Sequence, residues 1–225
     1  ASSASNSVPP GNLPTFQPVL VTGYNLLGNA LATNIDVAAT FGNANQPVAG
    51  ITSLVQSVWK WDATQVKWQF FSPQLTTAAN ATYAAGKGFA VLSSIGPGEG
   101  YWVNASAGLN LPVQTGAAQN WSSTAFAALP SGFNLLAHNN ALTPTQFNAA
   151  ISATPPATGT VPTTNFRSLW AWDTTQAAWY FYAPSIESTS GLAGVKTFAN
   201  TNYRLHFQDA GKLLGPGVGF WVDKF

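Results

Sequence analysis

Val58-Trp59-Lys60-Trp61-Asp62 and Leu169-Trp170-Ala171-Trp172-Asp173 are one stretch written twice, and they decide the fold. Each is followed by a second aromatic run, Trp68-Gln69-Phe70-Phe71-Ser72-Pro73 or Trp179-Tyr180-Phe181-Tyr182-Ala183-Pro184. Two such runs around a short polar connection predict a β-hairpin, with both tryptophans of its first strand on the same side of the sheet. Asp62 and Asp173 stand where that strand turns, and an aspartate there accepts hydrogen bonds from its own backbone. Upstream, Gly23-Tyr24-Asn25-Leu26-Leu27 returns as Gly132-Phe133-Asn134-Leu135-Leu136. Downstream, Gly96-Pro97-Gly98-Glu99-Gly100-Tyr101-Trp102-Val103 returns as Gly215-Pro216-Gly217-Val218-Gly219-Phe220-Trp221-Val222. The offset drifts from 109 through 111 to 119 residues, as loop insertions after a duplication make it do.

The expected fold is mainly β: two duplicated antiparallel β domains with short helices. An N-terminal arm occupies residues 1–17, repeat domain 1 residues 18–113, a linker 114–119 and repeat domain 2 residues 120–225. Thr143-Pro144-Thr145-Gln146 reads as a capping box with proline in the first helical turn. In the first copy Thr33 or Asn34 caps, Asp36 suits the positive helix end and Gly42 stops the helix.

The Gly-aromatic-Asn-Leu-Leu, Trp-x-Trp-Asp and Pro-Gly-x-Gly-aromatic-Trp-Val segments together resemble a Trp-rich repeat module of predicted secreted and cell-surface proteins of bacteria and archaea. The resemblance covers Gly23–Val103 and Gly132–Val222. It implies an exported, non-catalytic surface protein and carries no site residues with it. Copy two departs by having Ala137 where copy one has Gly28.

Composition narrows the function classes. The chain is 46% hydrophobic and only 7% charged, with a net charge of +1. That leaves no electrostatic footprint for nucleic acid or an anionic membrane, and favours self-association. Cysteine is absent, so disulfide and thiolate-metal chemistry are excluded. A start at Ala1 in a chain without methionine suggests removal of a secretory signal, hence a secreted, extracellular or cell-surface location. Asp62 and Asp173 are the only duplicated acidic pair, and their turns account for them without catalysis. His138 and His206 lack ligand-like spacing, and Gly96–Gly100 precedes an aromatic strand rather than a helix. The expectation is therefore a non-enzyme with no metal and no cofactor. Asn80-Ala-Thr82, Asn104-Ala-Ser106 and Asn120-Trp-Ser122 match the glycosylation acceptor pattern.

The aromatic clusters read in two ways. Trp61, Trp68 and Trp102, with Trp172, Trp179 and Trp221, suit a core, since Lys60 against Ala171 and Lys67 against Ala178 mark the opposite face as solvent. Trp59, Trp121 and Trp170 are the candidate ligand-binding aromatics for a polysaccharide, with Trp121 the likeliest to be exposed.

One asymmetry suggests polymerisation. Copy one continues through Gly108-Leu109-Asn110-Leu111-Pro112-Val113, whereas copy two ends at Phe225. Asn12-Leu13-Pro14 in the arm resembles Asn110-Leu111-Pro112, so the arm carries the type of strand copy two lacks. A donor strand in the vacant slot of the next chain builds a head-to-tail filament, and one folded back into its own copy two closes a monomer. Asn12, Leu13, Pro14 and Phe16 on the arm, with Phe220, Trp221 and Val222 in the slot, are the expected subunit interface.

Overall fold

A computed structural model describes residues 13–209 and 211–225. Two short strands, β1 (Thr15–Phe16) and β2 (Val19–Leu20), lead into β3 (Gly23–Gly28), β4 (Ile35–Asp36) and helix α1 (Val37–Phe41). The hairpin β5 (Val55–Asp62) and β6 (Lys67–Phe71) follows, then α2 (Thr77–Lys87), β7 (Ala90–Val91), β8 (Ser94–Ile95) and β9 (Gly100–Ala105). Strands β10 (Leu109–Asn110) and β11 (Gln114–Thr115) and helix α3 (Ser123–Ala127) connect to β12 (Gly132–Ala137). The remainder is α4 (Pro144–Ala150), the hairpin β13 (Phe166–Asp173) and β14 (Ala178–Tyr182), α5 (Pro184–Thr201), β15 (Leu205–His206) and β16 (Gly217–Lys224).

The protein is mainly β, and one sheet runs β15-β14-β13-β16-β3-β9-β5-β6-β7, with β12 also paired to β16. The hairpins are antiparallel, whereas β7 and β15 add in parallel after a helical crossover. Corresponding residues of the repeats hold corresponding registers: Trp59 faces Trp102 and Trp170 faces Trp221. The turn chemistry matches the residues present. Asp62 Oδ1 accepts from the Thr64 and Gln65 amides, and Thr143 with Gln146 closes the capping box. Asp36 is itself the cap of α1, rather than Thr33 or Asn34, because its carboxylate reaches the Ala39 amide at 2.8 Å. The repeated asparagine is structural. Asn25 Nδ2 donates to the carbonyls of Val21 and Gly23, and Asn134 Nδ2 to those of Pro130 and Gly132, buttressing the bend before each strand.

The repeats meet where their strands end. β16 pairs with β3 only at Gly217–Gly28 and Val218–Leu27. The matching joint is the Glu99–Leu136 bridge, reinforced by the Ala137 amide donating to the Gly98 carbonyl at 2.8 Å. Main chains approach too closely here for side chains on both partners. A Cβ at Gly28 would lie 2.5 Å from the Val218 carbonyl oxygen and 2.6 Å from Ala137 Cβ. Gly28 and Ala137 are equivalent positions, so a single methyl fills a space that cannot hold two.

The tryptophan face is not the core. In the first repeat the buried cluster is Leu27, Val58, Phe71, Tyr101 and Val103 with Val37 and Phe41 from α1. In the second it is Leu136, Leu169, Ala171, Phe220 and Val222 with Phe147 from α4. Ala171 is fully buried, and Lys60 is largely buried in an ion pair of 2.8 Å with Glu99. The face marked as solvent by Lys60 and Ala171 is thus the one covered by α1 and α4. Trp61, Trp68, Trp102, Trp172, Trp179 and Trp221 lie on the other face, half-buried. Since alternate residues of a strand point oppositely, placing the tryptophans inside would invert every other position.

The expected vacant slot is also filled. β16 has β13 along one edge and β12 along the other. Phe220 and Val222 are fully buried in the second core, so they offer nothing to an incoming strand. The arm pairs within its own chain, β1 with β11, and β2 just after it pairs with β10. Pro14 accepts from the Gly116 amide, and Leu13 is exposed. Phe16 does reach the second repeat, its ring lying against Gly217, but as a side chain rather than a strand. Asn12 lies outside the described residues. The extra strand of copy one, β10, pairs with β2 of its own copy.

Candidate functional site

Eight of the nine tryptophans form a layer that crosses the joint between the repeats. Within each hairpin, cross-strand pairing sets Trp61 at 5.3 Å from Trp68 and Trp172 at 5.0 Å from Trp179, both edge to face. Across the joint, Trp221 lies 6.3 Å from Trp61 and 5.9 Å from Trp68. Its counterpart Trp102 lies 6.2 Å from Trp172 and 5.8 Å from Trp179. Edge-to-face contacts of this kind add to area burial and fix ring orientation.

Indole N–H groups divide the set by role. Trp61 donates to the Phe133 carbonyl at 2.9 Å and Trp172 to the Tyr24 carbonyl at 3.0 Å, each reaching the other repeat. Trp59 and Trp170 donate to Ser57 and Ser168, both at 2.9 Å, which ties each indole to its own strand. Among the described residues, the indoles of Trp68, Trp102, Trp179 and Trp221 have no acceptor. Their rings line an open groove of two hollows that share Trp68, Trp179 and Trp221. One, of about 560 Å³, is bounded by Tyr24, Trp59, Phe89, Trp102 and Trp172. The other, of about 420 Å³, is bounded by Trp61, Phe133, Trp170 and Arg204. Both volumes lie in the range of ordinary ligand clefts.

Of the expected ligand-binding aromatics, Trp59 and Trp170 stand in this groove and Trp121 does not. Trp121 donates to the Ala137 carbonyl at 2.9 Å and lies over Gly98, sealing one joint between the repeats. The expected core tryptophans supply most of the groove instead. Sequence reasoning missed Arg204 and Phe89, since only the crossover helices bring them to the edge of the aromatic face.

A separate cavity of about 550 Å³ in the second repeat is lined by Thr145, Tyr182, His206 and Lys212, among others. Beside it, Glu187 accepts from Tyr182 Oη at 2.6 Å and from Thr145 Oγ1 at 2.8 Å. Burial pushes the Tyr182 hydroxyl pKa up, with the Glu187 carboxylate adding to it, and burial lowers that of Lys212. Glu187 is thus held by hydroxyl donors. His138 is buried and accepts from the Trp121 amide at Nδ1, so its proton sits on Nε2, and burial pulls its pKa down to about 4. Asp173 accepts from the Gln176 amide and from Tyr180 Oη, as a turn residue does. Among the described residues no cluster of His, Asp and Glu is arranged to hold a metal, and no helix is long and apolar enough to cross a membrane.

No family model, curated protein or solved structure matches the chain.

Proposed function

We propose that the chain is a non-catalytic, extracellular polysaccharide-binding module, built from two duplicated β domains whose tryptophan faces together form one groove. The observation that carries this reading is the set of four groove-lining indoles, on Trp68, Trp102, Trp179 and Trp221, whose N–H groups have no acceptor among the described residues. A purely apolar ligand would leave those donors unpaired on binding, which costs free energy. A sugar chain supplies both what the rings need, in its C–H faces, and what the N–H groups need, in its hydroxyl and ring oxygens. The groove is open along its length, which suits a polymer better than a small enclosed molecule. The rings are held by edge-to-face contacts and serine hydrogen bonds before any ligand arrives, so little side-chain freedom is lost on binding.

Affinity electrophoresis through gels containing soluble polysaccharides, together with pull-down on insoluble ones, tests the proposal. The unaltered chain is expected to be retained by at least one polymer. Trp68→Ala and Trp179→Ala should each weaken retention about tenfold, since losing the apolar contact of one aromatic ring is worth roughly 1.5 kcal/mol or more. Trp68→Phe keeps the stack and loses the donor, so it should fall between. Trp121→Phe, outside the groove, is the control for altered folding. Retention that is absent for the unaltered chain, or equal in the alanine variants, refutes the groove as a binding site.

A further inference from the structure

The two ends of the groove are unequal at a single matched position. Strands β7 and β15 add to their hairpins in the same register, Ala90 beside Gln69 and Leu205 beside Tyr180. The residues just before them, Phe89 and Arg204, therefore occupy equivalent places. Phe89 stands edge-on to Trp59 with ring centroids 5.0 Å apart. Arg204 holds its guanidinium carbon 5.6 Å from the Trp170 ring. Each residue borders one hollow. Among the described residues Arg204 has no carboxylate partner, so the planar N–H donors of its guanidinium remain available. The rest of the groove lining is uncharged.

We propose that the groove selects a polysaccharide bearing anionic substituents, carboxylate or sulfate, and binds it in one direction. The anionic sugar lies at the Trp170–Arg204 end and an uncharged sugar face stacks at the Trp59–Phe89 end. This rests on the polysaccharide reading above. A guanidinium beside an indole is partly shielded from water on one face and pairs bidentately with a carboxylate or sulfate. The net charge of +1 is too small for the whole chain to attract anions, so a preference for acidic polymers has to come from a local cation.

The test compares polygalacturonate, its carboxyl-reduced neutral form and a sulfated galactan in the same gel assay, at fixed ionic strength. The unaltered chain should prefer at least one acidic polymer to the neutral one by about tenfold. Arg204→Phe, which copies the Phe89 end, should bring acidic retention down to the neutral level while leaving neutral retention in place. Arg204→Phe combined with Phe89→Arg should restore the preference. Loss restricted to polygalacturonate identifies carboxylate as the anion, and loss restricted to the galactan identifies sulfate. An acidic-to-neutral ratio unchanged in Arg204→Phe overturns the inference and leaves the groove reading standing. So does retention on the neutral polymer alone. Retention on no polymer of either kind overturns both.

Discussion

Replacing Gly28 with alanine tests how the repeats are joined. The new methyl would stand 2.5 Å from the Val218 carbonyl oxygen, 2.9 Å from its carbon and 2.6 Å from Ala137 Cβ. Two of these three atoms are backbone and the third is fixed to it, so relief requires the strands to move apart by several tenths of an ångström. Overpacking a rigid site costs typically 1–3 kcal/mol, and the upper end, about 3 kcal/mol, applies where no flexible side chain can yield. Ala137→Gly alone loses one buried methyl and gains strand flexibility, together roughly 1.5 kcal/mol. Independent sites would make the double variant the sum, roughly 4.5 kcal/mol. The shared space predicts otherwise. With the Ala137 methyl gone one of the three close contacts is relieved while the two to Val218 remain, so the double variant should cost less than the sum, by about 1 kcal/mol. Guanidinium unfolding followed by tryptophan emission measures all three variants. Additivity within about 0.5 kcal/mol would show that the two positions do not share one space, and the joint described here would be wrong.

Two further outcomes follow from buried polar groups. Asn80 is almost fully buried, its Oδ1 accepting from the Ser72 amide at 2.7 Å and its Nδ2 donating to the Ser72 carbonyl at 2.9 Å. Asn80→Ala leaves the Ser72 amide unpaired and the Ser72 carbonyl with only the Leu75 amide, and should destabilise by about 2 kcal/mol, measured by the same unfolding curves, and Asn80 should carry no glycan when the chain is expressed in a glycosylating host. His138, pulled down to about 4 by burial, has an ordinary value of 6.5 when unfolded. Between those values the unfolded chain binds more protons, so stability should fall as pH drops from 6.5 towards 4 and the His138 contribution should level off below. Thermal midpoints across that range should show a loss of roughly 3 kcal/mol that His138→Asn, which copies Asn29 of the first repeat, removes.

Hairpins, turn aspartates and the capping box are legible in the sequence because each depends on neighbours a few residues away. Helices α2 and α5 are not, because Thr77–Lys87 and Pro184–Thr201 are rich in alanine, serine, threonine and asparagine and carry no strong apolar stripe. The side of the sheet that becomes core was misjudged because ring size was weighed above parity. Val58, Tyr101, Val103, Leu169, Phe220 and Val222 share a face opposite the tryptophans, and their β-branched and aromatic bulk was signal enough. The positions where the repeats differ prove as informative as those where they agree. Lys60 and Glu99 pair at 2.8 Å, and their counterparts Ala171 and Val218 have lost both charges together, as a contact requires when one charge alone would be left in a largely buried place. Gly28 against Ala137 marks the point where the copies touch, since only one of them can carry a methyl there. By the same logic Phe89 against Arg204 marks a place released from symmetry. Phe89 packs against Trp59 and Phe70 and Arg204 against Trp170, each within its own repeat, and a cation at one end of an otherwise uncharged groove is what a ligand with a charged end would select.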